Sequence, residues 1–272
     1  MLGKKIIIKI NKQKLAEVFT FLENPIKEEK EFVAKIVNKI NFQKDIGFAG
    51  FKDKNSLKKF LTWLIYNNSK TNMWNSLTPD ECREKISFVL KKCSKVIQKK
   101  TIKIFLFPTI SEFVINKMDG VSGFSPWKNT ILVGVFRTKN WSKAIKNTIC
   151  HELAHALALN FNRRETIGDD LIFEGIAEHF REYFLNGQKS PWVKAISKKK
   201  AREIFLEIKP MLKARSHDLF RALFFGTKNY PLWSGYAIGY YLVKSYLDKR
   251  KEKNWVEILK TPPTKILREA TI

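Results

Sequence analysis

Apolar residues recur at helical spacing over much of this chain, and a few short apolar runs bounded by breakers interrupt that pattern near its middle. In the first hundred residues, Leu15–Leu22, Glu31–Val37, Leu57–Tyr66 and Lys85–Ile97 carry apolar side chains three and four apart, so this region reads as mostly helical. Asn67–Asn72 reads as a turn or loop. Thr78 followed by Pro79 reads as an N-cap and first helical residue. Ile102–Phe107, closed by Pro108, and Thr130–Val135 read as strands. The second is the candidate for a sheet edge on which an extended peptide could pair its backbone, although a central strand has the same composition.

Helical spacing resumes near Trp141 and runs without Pro or Gly to Leu159, with Ser142 as the expected N-cap. A second helix is expected over Leu171–Leu185, capped by Asp169 and Asp170 and closed by Gly187. Helices follow from Pro191 to about Lys209, over His217–Phe225 and over Trp233–Lys249, with Pro210, Gly226 and Pro231 between them. Gly235 and Gly239, four apart in the last helix, predict close backbone packing, while Lys244 and Lys249 argue against a membrane span.

The first of these central helices carries His151-Glu152-Leu153-Ala154-His155. Two imidazoles four apart leave the same helix face one turn apart and can reach one metal ion. Glu152 projects about 100° away around the helix, so it is placed as a base toward a metal-bound water and not as a ligand. Eighteen residues separate His155 from Glu174, which shares a face of the next helix with Glu178. Two acids among Ile172, Phe173, Ile176 and Ala177 are either solvated at the surface or paired inside. Three of the four histidines of the chain fall in these two helices, which favours a metal site of three ligands with an open fourth position.

The spacing of HExxH, eighteen residues and Glu resembles the gluzincin class of metallopeptidases. Glu174-Gly175-Ile176-Ala177-Glu178 is similar to the EGxAE signature of a bacterial group of predicted zinc-dependent proteases of uncertain cellular role. Gly120–Pro126, Thr130–Val135 and Ser234–Tyr241 resemble further blocks of that group, so the likeness spans roughly residues 101 to 262. The resemblance implies that His151, His155 and Glu174 hold zinc and that Glu152 activates the water. It implies that Glu178 accepts the free N–H of the first histidine, and that a downstream side chain stabilises the oxyanion: Tyr236 in first place, then Tyr240 or His217. No block like the one that grips a free N-terminus in gluzincin aminopeptidases is found, which favours an endopeptidase.

The 272 residues carry a formal net charge of +25, with 51 Lys and Arg against 26 Asp and Glu. Such an excess invites nucleic acid as a partner. The lysines are spread along the entire chain, however, which reads as a solvated basic surface, and no specific nucleic acid is expected. Cys82, Cys93 and Cys150 give no even disulfide framework and fit reduced thiols in the cytoplasm. Neither a signal peptide nor a transmembrane segment is apparent. The expected molecule is α+β and mostly helical: a helical region over residues 1–100 that covers the cleft, then a zincin-like catalytic region over 101–272 with a small mixed sheet on the active-site helix. Its expected function is a zinc metallopeptidase acting on peptides or proteins, with a non-proteolytic regulator on the same fold and a basic nucleic-acid binder as the competing readings.

Overall fold

The computed structural model describes residues 4–22, 29–43, 51–67 and 77–272. The loop expected from Asn67 to Asn72 lies outside them beyond Asn67. Among the described residues the chain divides into two compact units, one ending at Ala156 and one running from Leu157 to Ile272. The architecture is α+β and mostly helical, with one small mixed sheet, as the pattern of the sequence predicts.

The first unit opens with a hairpin. β1 (Lys4–Ile10) pairs antiparallel with β2 (Gln13–Thr20). Asn11 and Lys12 between them both lie in the left-handed region, at φ 48° and 64°, as a two-residue turn between right-twisted strands requires. The expectation of a helix over Leu15–Leu22 is therefore corrected. Eight residues satisfy either period, and parallel pairing of Ala16–Thr20 with Ile102–Leu106 settles it as a strand.

α1 (Glu29–Lys39), α2 (Lys54–Tyr66) and α3 (Pro79–Ile97) follow, and they match the helical reading of this region. Thr78 caps α3 in a reciprocal box with Glu81, and Pro79 occupies its first turn. Next come β3 (Ile102–Pro108), the short α4 (Glu112–Lys117), β4 (Val121–Trp127), β5 (Thr130–Val135) and α5 (Trp141–Ala158). The strand order is β1-β2-β3-β5-β4, parallel in the middle and antiparallel at both ends.

Thr130–Val135 is thus an internal strand, and β4 is the edge on its side of the sheet among the described residues. All six residues of β5 are buried, which is why its apolar run does not alternate. Phe105, Phe107 and Leu132 pack with Phe32, Val33, Ile36 and Val37 of α1 and with Leu57, Leu61, Leu64 and Ile65 of α2. Ile104, Leu106, Ile131 and Val133 alternate with them, point to the opposite face and are equally buried.

The second unit is helical: α6 (Ile167–Leu185), a 3₁₀ turn at Trp192–Lys194, α7 (Lys198–Ile208), α8 (His217–Phe225), α9 (Ser234–Asp248), α10 (Trp255–Lys260) and α11 (Pro263–Glu269). α6 begins four residues before the expected Leu171, because Thr166 and Asp169 form a capping box and Asp170 is engaged elsewhere. At the other end Asn186, not Gly187, takes the left-handed cap at φ 47°. The single helix expected from Pro191 is divided, since Ser197 starts α7 afresh by accepting the Lys200 N–H.

α6 and α9 touch backbone to backbone. A Cβ built on Gly175 would lie 2.2 Å from the Gly239 carbonyl oxygen, and one on Gly239 would lie 2.1 Å from that of Leu171. Only glycine permits this approach at either position. Among the described residues no helix is long and apolar enough to cross a membrane.

Candidate metal centre

α5 starts at Trp141, one residue before the Ser142 expected to cap it, with Asn140 O accepting the Ala144 N–H. An uninterrupted helix of 18 residues then carries the two histidines in register. His151 Nε2 and His155 Nε2 face each other 3.1 Å apart, with their ring planes at 79°. Two imidazole nitrogens sharing one tetrahedral zinc at 2.0–2.1 Å stand about 3.3 Å apart, so the pair is set for chelation with almost no adjustment. His151, Glu152 and His155 are all buried.

Glu152 lies under the edge strand. A Cβ on Gly123 of β4 would stand 2.5 Å from Glu152 Cγ and 2.5 Å from Thr148 Cγ2, so the absent side chain is what lets β4 pass this close to the helix. Ser125 Oγ, two residues along β4, donates to the Glu152 carbonyl at 2.8 Å and ties strand to helix. Glu152 Oε2 is buried and has no hydrogen-bond partner among the described residues. An ionised oxygen in that state is costly unless something outside the chain answers it.

Glu174 sits two turns into α6 and is buried. One potential ligand atom from each of His151, His155 and Glu174 lies within 4.8 Å of the others. Two imidazoles and a carboxylate at that spacing are a donor set that suits zinc.

Two residues not singled out as site residues stand behind Glu174. Arg164, from the non-helical stretch ahead of α6, is buried, and its Nη2 donates to Glu174 Oε1 at 3.1 Å. Its Nε donates to Asp170 Oδ1 at 2.7 Å, and Asp170 is fully buried. Burial pushes the Asp170 carboxyl up to about 6, with Arg164 pulling the other way. A signal for this existed in the sequence: Asp170 and Glu174 are like charges four apart on one helix face, an arrangement that needs a cation.

Glu178 is fully buried among donors of its own unit. Its Oε1 accepts from Trp192 Nε1 at 2.8 Å, and its Oε2 accepts from Ser190 Oγ at 2.5 Å and Arg181 Nη2 at 3.1 Å. Tyr236 lies on the first turn of α9, partly exposed, against the rings of Trp192 and Phe224, and belongs to the electrostatic surroundings of Arg164. Tyr240 is committed elsewhere. Its hydroxyl donates to Glu182 at 3.2 Å, and its ring stacks on His179 at 4.2 Å. His217 is exposed at the start of α8.

Residues 82–268 match the family described as predicted Zn-dependent protease. The chain belongs to that family. No curated protein and no solved structure matches it. The matched stretch takes in α5 and α6 entire, and the family and the donor set of His151, His155 and Glu174 agree on zinc as the metal.

Proposed function

We propose that this protein is a zinc metallopeptidase in which His151, His155 and Glu174 are the metal ligands and Glu152 is the general base. The observation that carries the reading is that ligand atoms of His151, His155 and Glu174 lie within 4.8 Å of one another, while Glu152, next to His151, has a buried oxygen with no hydrogen-bond partner among the described residues. Zinc, when bound, supplies a Lewis acid for the scissile carbonyl and brings the pKa of its water toward 7. Glu152 takes a proton from the attacking water and returns it to the leaving nitrogen. Because no donor among the described residues holds Oε2, none of them has to be displaced first.

β4 offers the outer edge of the sheet to an extended substrate, and Gly123 and Ser125 keep that edge close to Glu152. Ser190, Trp192 and Arg181 donate to the Glu178 carboxylate and hold its orientation. Glu178 is assigned to accept the ring N–H of His151 as well, which would fix the tautomer of a ligand. Tyr236 is the preferred oxyanion donor, since the Tyr240 hydroxyl is taken by Glu182. An endopeptidase is preferred to an aminopeptidase because no block that would grip a free N-terminus occurs in the sequence. Three buried cysteines that form no disulfide fit a cytoplasmic setting.

Metal analysis and peptide-library digestion of one sample test this directly. One zinc per chain is expected, with cleavage inside peptides that a chelator abolishes. Glu152→Gln should keep the zinc and lose roughly 10²–10⁴-fold in turnover. A protein without zinc, or one whose hydrolysis survives Glu152→Gln, refutes the reading. Salt-sensitive retention on DNA or RNA with no hydrolysis would favour the nucleic-acid reading instead.

A further inference from the structure

Arg164 is a buried cation of the second unit, its side chain being only 8% exposed. A guanidinium in the interior is tolerated when carboxylates take its donors, and here two do. Nε and Nη2, on one planar edge, reach Asp170 Oδ1 and Glu174 Oε1, which stand one turn apart on α6. The guanidinium carbon also lies 5.6 Å from the centre of the Phe173 ring, between those two acids in sequence. A single ammonium could not serve both carboxylates with this fixed spacing.

We infer that Arg164 is the positioning residue for Glu174: it holds Oε1, so that the other oxygen is the one presented to the metal. The inference rests on Glu174 being a ligand, as proposed above. Its consequence is a carboxylate that binds through one oxygen with its rotamer already chosen, which leaves room for a water in the open position. A cation beside a metal site also repels the metal, and this must be weighed. Asp170, at 2.7 Å, neutralises the guanidinium, so the pair presents little net charge to the metal and orientation is the effect that remains.

The test is zinc titration of the metal-free full-length chain against a competing chelator, with a thermal melt of each metal-free variant. Arg164→Met should weaken zinc binding by about 10–100-fold, the range seen when a partner of a metal ligand is removed. Arg164→Lys should fall between it and the wild type, because one ammonium can hold only one of the two acids. Asp170→Asn keeps an oxygen for Nε but leaves the guanidinium charge uncancelled beside the site, and should weaken zinc binding by less than Arg164→Met does. Cobalt-loaded Arg164→Lys should in addition show a weaker visible absorption band than cobalt-loaded wild type, the mark of a second Glu174 oxygen joining the metal.

If Arg164 merely braces the fold, the melts will drop while zinc affinity and the cobalt spectrum of both Arg164 variants match the wild type, and the inference is overturned. Glu174→Ala separates the two levels. Should it bind zinc as tightly as the wild type, the ligand assignment itself is wrong; should it lose zinc while the Arg164 variants keep it, only the positioning role fails. If Arg164→Met does not fold, Arg164→Lys and Asp170→Asn carry the comparison alone.

Discussion

Gly239→Ala should loosen the α6–α9 contact and weaken the metal site without touching a ligand. The new methyl would sit 2.1 Å from Leu171 O and 3.2 Å from Gly175 N, on top of the α6 backbone. Carbon-to-carbonyl contacts settle near 3.3 Å, so the helices must separate by about 1 Å. No side chain can rotate out of the way. Overpacking of this kind costs about 1–3 kcal/mol, and the upper part of that range applies because both partners are main chain. Replacing a helical glycine by alanine returns about 1 kcal/mol in backbone entropy, which leaves a net loss near 2 kcal/mol. Gly235→Ala is the control. The atoms nearest its methyl belong to the Phe224 ring, at 2.7–2.8 Å, and a ring can swing. The loss there should stay below about 1 kcal/mol. Denaturant unfolding of the metal-free variants measures the difference, and zinc titration reads the displacement of Glu174, the neighbour of Gly175. Gly239→Ala as stable as the wild type, or Gly235→Ala equally costly, would show that the two helices are not locked as described.

Gly123→Ala drives a methyl to within 2.5 Å of Glu152 Cγ and Thr148 Cγ2, so it should depress turnover well below wild type while leaving zinc content unchanged; full activity would mean that β4 does not constrain the base. His179 is buried, donates to the Tyr240 carbonyl at 3.0 Å, and burial holds its pKa down from 6.5 to about 4. The unfolded chain therefore takes up this proton first, and stability is present above pH 6.5, falls as the pH drops and levels off below about 4. The contribution is on the order of 3 kcal/mol, and His179→Gln should remove that much of the slope in metal-free melts; identical slopes for variant and wild type would refute it. Thr166→Ala deletes the cap of α6 and should cost about 1 kcal/mol in the same melts, a loss that Thr166→Ser should largely restore.

What the sequence alone determined is the part that depends on neighbours a few residues away. Two histidines four apart, with no Pro or Gly between Trp141 and Leu159, must share a helix face about one turn apart, while the 3.1 Å between their nitrogens depends on the rotamers the rings take in the fold. Thr78 and Pro79 announced α3, and the Gly235/Gly239 spacing announced a tight helix contact, because caps and close approaches have few chemical solutions. Other features needed partners far away in the chain. Leu15–Leu22 was compatible with both periods until β3 paired with it. The buried run of β5 could not say whether β4 would cover its outer side, which made β5 internal and passed the edge to Val121–Trp127. Arg164, in a loop beside Arg163, reads as one more solvated cation; its burial and its two carboxylates exist only once α6 has brought Asp170 and Glu174 against it. Local stereochemistry is written into adjacent residues, whereas burial, strand order and the choice of ion partner are set by which distant segments meet, and so only the tertiary structure decided them.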